Sequence, residues 1–279
     1  MLNINVRTVR RQLVVRAPDP ASAEVLVYMK ADPRIDGPAP ALVDIDVKPV
    51  HGFLGFELAS GNKVEGSASH VLSALHRLHY ELSRNEFATS PLIHGGTLTT
   101  DAGHVVFVGD KRSGKTTLLV YLASLGWPVT GDEHIILNGS TAIPRPRSLR
   151  VRPGALRYLS AAAAEIVRRS PTTLDWHGSP WYAVEPSAFG KEWIIRQCPI
   201  RHLVILSANH GGRSRIRELA PDCALELLLR NVILPELGKA TALAWLRSSV
   251  RSAKCWELSN GRLEDCRDLV YERFVGGFS

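Results

Sequence analysis

The chain has 279 residues, which suits one large domain or two smaller ones. Apolar residues make up 45% and charged residues 22%, enough to bury a core and unlike a disordered composition. A net charge of +7 favours an anionic ligand, and a polyphosphate nucleotide satisfies that as well as nucleic acid does.

Cys198, Cys223, Cys255 and Cys266 show no C-x-x-C spacing, so they read as reduced thiols rather than a zinc site or a disulfide framework. The first residues, MLNINVRTVRRQLVV, lack the apolar run and small-residue cleavage site of a signal peptide. No apolar run reaches the roughly 18 residues of a membrane span. A cytoplasmic location is expected, with no membrane partner.

Residues 1–89 read as a small α+β accessory domain. Strands are expected at Gln12–Arg16 and Glu24–Met29, and the Pro-rich segment Ala31–Pro40 is a loop. Val71, Leu72, Leu75, Leu78 and Leu82 recur at helical spacing, which predicts a helix over Ser67–Arg84 with Ser67 or Ser69 as its N-cap.

Residues 90–279 read as a separate α/β domain. Leu92–Leu98 and His104–Val108 predict two strands around a turn at Asp101–Gly103, followed by a helix from Lys115 to about Leu125. A short strand at Pro128–Thr130 comes next, then Gly131-Asp132-Glu133, then a strand at His134–Leu137. Further strands are expected at Glu192–Arg196 and His202–Leu206. Helices are expected at Pro153–Val167, Cys223–Val232 and Thr241–Val250.

Gly109-Asp110-Lys111-Arg112-Ser113-Gly114-Lys115-Thr116 fits G-x-x-x-x-G-K-[ST]. A β-branched and aromatic strand enters it and a strong helix leaves it, so backbone N–H groups and the helix dipole converge where phosphates can sit. Lys115 should reach the β and γ oxygens, Thr116 should offer its hydroxyl to Mg²⁺, and Thr117 continues the binding segment. The plainer alternative is a Gly-rich turn that only opens a helix. Asp132 and Glu133 follow one helix later, close enough for Asp132 to return beside the loop; otherwise they form a surface turn. No L-S-G-G-Q segment is present. The only N-K-x-D-like run, Asn62-Lys63-Val64-Glu65, lies upstream of the loop.

With His94-Gly95, the phosphate loop, one helix and Asp132-Glu133 in that order, residues 92–137 resemble the kinase domain of the HPr serine kinase family. The resemblance implies a phosphate-loop domain related to phosphoenolpyruvate carboxykinase, with a mixed sheet flanked by helices. It implies ATP and Mg²⁺ as cofactors and Asp132 as the base for an attacking hydroxyl, with Glu133 holding the metal and His94 near the phosphates. Two departures stand out: Glu133 replaces a second aspartate, and Lys111-Arg112 add charge to the loop. Smaller relatives resemble kinases of ribosomal-peptide biosynthesis, including lasso-peptide precursor kinases, which points to a Ser or Thr of a peptide or protein as acceptor.

The basic stretch after Pro144 is read as a substrate grip through Arg147, Arg150 and Arg152, or else as a solvated loop. Its poor aromatic interleaving argues against nucleic acid. Further copies of the chain are an expected partner. Two other readings remain open: a nucleoside-triphosphatase or small-molecule kinase, and a non-catalytic nucleotide sensor.

Overall fold

The computed structural model describes residues 2–58, 60–174 and 179–275. The N-terminal segments are β1 (Leu2–Arg7), β2 (Arg11–Ala17), α1 (Pro20–Leu26), β3 (Arg34–Ile35), β4 (Ala41–Asp46), β5 (Lys48–Val50), β6 (Phe53–Glu57), β7 (Lys63–Gly66) and α2 (Ala68–Asn85). They build two three-stranded sheets, β1-β2-β4 and β5-β6-β7. Val6, Leu13, Val15, Ile45 and Leu75 lie in their shared core.

Helix α2 begins where the apolar spacing places it, with the Ser67 hydroxyl accepting from the His70 N–H. The expected strand at Glu24–Met29 is instead α1 followed by a 3₁₀ turn at Val27–Met29. Asp19 caps this helix by accepting from the Ser22 N–H at 2.8 Å, and Pro20 fixes its first turn. Cap and proline together override the β-branched run.

The larger sheet is built from β8 (Leu92–Thr100), β9 (Gly103–Gly109), β10 (Val129–Asn138), β11 (Thr141–Pro144), and later β16 (Ile200–Ala208), β17 (Arg215–Glu218), β18 (Val232–Ile233) and β19 (Lys254–Asn260). Its order is β11-β10-β8-β9-β16-β19-β17, and β18 pairs with β8. Strands β9, β16 and β19 are parallel, whereas β8, β10, β11 and β17 join by antiparallel ladders, so the sheet is mixed.

Strand β9 is apolar on both faces because both are covered. Val105 and Phe107 pack with α3 (Lys115–Ser124) and α7 (Leu263–Val270). Val106 and Val108 pack with α5 (Pro221–Leu229) and α6 (Lys239–Ser252). Between these elements lie β12 (Leu149–Val151), α4 (Ala161–Arg168), β13 (Thr172–Leu174), β14 (Pro180–Val184) and β15 (Ile194–Ile195). Strands β12, β14 and β13 form a small sheet, and β15 pairs with β3 of the N-terminal part.

Several expected boundaries change. The two strands expected on either side of Gly131-Asp132-Glu133 are one strand, β10, paired with β8 from Val129 through Ile136, with a register shift at Gly131. Asp132 and Glu133 are therefore held mid-strand, not in a turn. The single helix expected at Pro153–Val167 divides into a 3₁₀ segment, Pro153–Tyr158, and α4, which Ser160 caps. The strand expected over Glu192–Arg196 shrinks to β15. Strand β19 and helix α7 add to the expected set.

Candidate active site

The loop between β9 and α3 is shaped by two close approaches. Gly114 has φ +88°, and a Cβ there would lie 2.5 Å from Asn260 Nδ2. A Cβ on Gly109 would meet the Leu206 carbonyl oxygen at 2.6 Å. Both positions therefore require glycine for reasons of space, and Gly114 for conformation as well. Asn260, at the end of β19, donates to the Ser113 carbonyl at 2.8 Å and pins the loop from behind.

Asp110, Lys111 and Arg112 are exposed at the tip, and Arg112 sits at φ +73°. Ser113 is buried, and its hydroxyl has no protein partner among the described residues. Lys115 is only 7% exposed and donates to the carbonyls of Gly109 and Asp110. Burial pushes its ammonium pKa down, while Asp132 and Asp110 push it back up. Thr116 and Thr117 open the first turn of α3.

Strand β8 lies between the loop strand and β10. Asp132 pairs with Gly96, Glu133 with Gly95 and His134 with His94, while Gly95 and Gly96 pair across to Val108 and Phe107 of β9. That register brings Asp132 to the loop across one intervening strand. Asp132 is 8% exposed and lies beside Thr116 at the start of α3. Burial raises its pKa above the ordinary carboxylate range, partly opposed by Thr116, Arg147 and Lys115.

His94 is half-buried, with its ring 6.0 Å from that of His134. Burial, then Lys115 and Arg147, lower its pKa, so it is neutral near pH 7. Burial, then Arg145 and His94, lower His134 to about 3.

Glu133 faces a cationic wall rather than the Thr116 hydroxyl. Its carboxylate contacts the Arg147 guanidinium, with Arg145 and the His134 ring each at 3.9 Å. Arg145 is 6% exposed and donates to His134 Nδ1 at 3.1 Å and to His79 Nδ1 at 3.0 Å, over the ring of Tyr80. His79 Nε2 lies 2.7 Å from the Arg7 carbonyl, so that nitrogen carries the proton and Nδ1 accepts. Residues of α2 thus support the back of this site.

The basic segment is not the exposed grip expected from the sequence. Arg150 is 7% exposed, donates to the Tyr28 carbonyl at 2.9 Å and stacks on the Tyr28 ring. Its guanidinium is consumed in joining β12 to the N-terminal part. Arg147 keeps partial exposure, 23% of its side chain, beside Asp132 and Glu133. Arg152 lies on the surface over the Trp181 ring. The sequence reading missed Asn260, Arg145 and His79. The contacts that give them roles span 147, 11 and 66 residues, and no local pattern announces them.

Among the described residues, no three His, Cys, Asp or Glu side chains gather as a metal cluster, and no helix is long and apolar enough to cross a membrane. No protein-family model matches the sequence, and no curated protein does. Among solved structures, the Hpr(Ser) kinase/phosphatase from Coxiella burnetii matches with 17% identity and a TM-score of 0.25. The match covers 43% of this chain and 59% of that one, less than two thirds of its length. So remote an overlap carries no weight for fold or activity; the geometry has to carry the reading.

Proposed function

We propose that the chain is an ATP- and Mg²⁺-dependent kinase that phosphorylates a Ser or Thr hydroxyl of a peptide or protein. The observation that carries this reading is the buried Asp132 carboxylate, beside Thr116 at the mouth of the phosphate loop. A nucleotide-binding module with no chemistry to perform has no use for a desolvated carboxylate there, because burial of that charge opposes folding.

The residues fit the cofactors. Gly109 and Gly114 let the loop pack closely on Leu206 and Asn260, so its backbone can face outward, and the buried Ser113 hydroxyl, with no protein partner among the described residues, could bond a phosphate oxygen. Magnesium is held largely through substrate phosphate oxygens and water, so the Thr116 hydroxyl could serve it without a protein-only cage and leave the Asp132 carboxylate free as the base. When bound, the metal and triphosphate supply the electrophilic phosphoryl group and spread its developing charge.

Lys115 would leave the loop carbonyls for the phosphates, and Arg147 is placed to approach the transferring group. Asp132, with its raised pKa, would accept the proton of the attacking hydroxyl, since a base poised nearer neutral pH transfers protons more effectively. Glu133, tied to Arg147, reaches a metal only if that ion pair opens. A peptide of ribosomal-peptide biosynthesis is one acceptor class within this reading.

Asp132→Asn keeps the shape and removes the base. MgATP should still bind, while transfer to a Ser-containing peptide falls by about 10²–10⁴. Near-normal turnover would move the base elsewhere. The same variant should be more stable than the parent. A carboxylate with a raised folded-state pKa weakens folding once pH climbs above its unfolded value, and fully so above the folded one. The gain in melting temperature should therefore grow as pH rises through that window and vanish in acid. A gain independent of pH would mean that Asp132 is not desolvated as described.

A further inference from the structure

A second feature of the loop, apart from the shared residues Gly109 and Ser113, plays no part in the chemistry above. A cavity of about 380 Å³ opens on the β16 side, beyond the carboxyl ends of β9 and β16. Its apolar lining includes Ile205, Leu206, Ala208 and Leu227, and its rim carries Lys111, Arg112, His210 and Arg230. Crevices outside the carboxyl ends of parallel strands are where ligands of open α/β sheets bind.

Lys111, Arg112 and Arg230 outnumber Asp110 and Glu257 in the lining, so the balance of charge is cationic. Glu257 lines the cavity but is engaged by Arg217, and Arg230 meets Glu226 only on the exposed side of α5. Lys111 and Arg112 have no ion-pair partner among the described residues. An apolar floor under an unpaired cationic rim suits an apolar side chain next to a carboxylate.

Position along the loop decides which substrate this is. The cavity is lined by Gly109 through Ser113, and Lys115 holds its ammonium at Gly109 and Asp110. Once released from those carbonyls, the lysine would meet the β and γ oxygens close by, so the cavity adjoins the terminal phosphate. Thr116 and Thr117, toward which the nucleoside end would leave, do not line it. Asn231 does, and its carbonyl accepts from the His94 N–H at 2.7 Å, because β18 takes over the edge of β8 where β9 runs into the loop. The cavity is thus continuous with the His94 flank of the site.

Resting on the kinase reading, we infer that this cavity is the anchor site of the acceptor peptide and that it selects an acidic residue beside an apolar one. Its distance sets the spacing. Asp132 lies on β10, and β8 and β9 separate it from β16, three strand spacings or about 14 Å. An extended peptide covers that distance in about four residues. The anchor therefore sits about four residues from the acceptor hydroxyl.

The test uses synthetic peptides with one Ser and a Leu-Asp pair placed two to eight residues away, assayed for transfer with the full chain. Transfer efficiency should peak near a separation of four. Arg230→Glu should raise the KM of the best peptide about fivefold and leave MgATP affinity, read by displacement of a fluorescent nucleotide, unchanged. A Leu-Lys peptide should recover part of that loss in the variant only. Equal transfer at every spacing, or an equal loss of MgATP affinity in the variant, would overturn the anchor and leave the kinase reading standing. If the wild-type chain binds MgATP yet phosphorylates no Ser peptide, the kinase reading falls and the anchor falls with it.

Discussion

The phosphate loop and the arginine segment two strands later in sequence contrast sharply in how their charged side chains are used. Gly109–Thr117 places Asp110, Lys111 and Arg112 at an exposed tip and keeps Lys115 buried against its own backbone carbonyls. Arg145–Arg152, more basic in sequence, turns two of its guanidinium groups into the protein, against His79, His134 and Tyr28. A loop whose job is done by backbone geometry is written in its own glycines. A long side chain can reach in several directions, and the neighbours that fix its direction come from distant parts of the chain.

If that contrast is right, the largest loss of function comes from the loop and with little loss of fold. Lys115→Ala removes an ammonium that the structure holds against loop carbonyls rather than within the apolar core. MgATP binding, measured by calorimetry, should fall below detection while the melting temperature changes by no more than a few degrees. An unchanged affinity would mean that phosphates bind elsewhere.

The converse holds for Arg145. Arg145→Ala strips a buried hydrogen-bonding group from two histidines and from the neighbourhood of Glu133. Stranding such partners should destabilise the protein by about 3 kcal/mol, read by urea unfolding. Arg145→Lys should recover only part of this, because an ammonium cannot span His79 and His134 as a planar fork does. A loss below about 0.5 kcal/mol would show that the arginine wall is ornamental to the fold.

The same contrast explains what could be read in advance. The strand–loop–helix order and the α2 cap at Ser67 were legible because each rests on local spacing and residue type, whereas the mixed sheet flanked by helices was expected from the family resemblance. The continuity of β10 through Gly131-Asp132-Glu133 was not legible. Glycine followed by two acids is turn chemistry locally, and only pairing with Gly95 and Gly96 of β8 keeps these residues extended. Glu133 illustrates the same limit at the site. Its position beside Asp132 suggests a metal ligand, whereas Arg147, fourteen residues on, occupies its carboxylate. The helix at Pro20–Leu26 shows the reverse error, in which a cap and a proline outweighed a run that favours strand.

The smallest effect should come from Arg152, the member of the basic segment that remains on the surface. It lies over the Trp181 ring with its guanidinium carbon 4.6 Å from the ring centroid. An exposed cation–π contact contributes about 0.5–1 kcal/mol, so Arg152→Ala should lower stability by no more than that. Its bearing on the acceptor is the sharper question. Arg147 borders Asp132 and Glu133, whereas Arg152 lies beyond β12, past the inward-facing Arg150. Arg147→Ala should therefore lower transfer, and Arg152→Ala should leave both peptide KM and MgATP affinity within about twofold of the parent. A larger rise in peptide KM for Arg152→Ala would extend the acceptor path onto this face and restore the segment as a grip. An unchanged KM would confine acceptor recognition to the two flanks of the phosphate loop, and would leave Arg152 as a surface residue held by one aromatic ring.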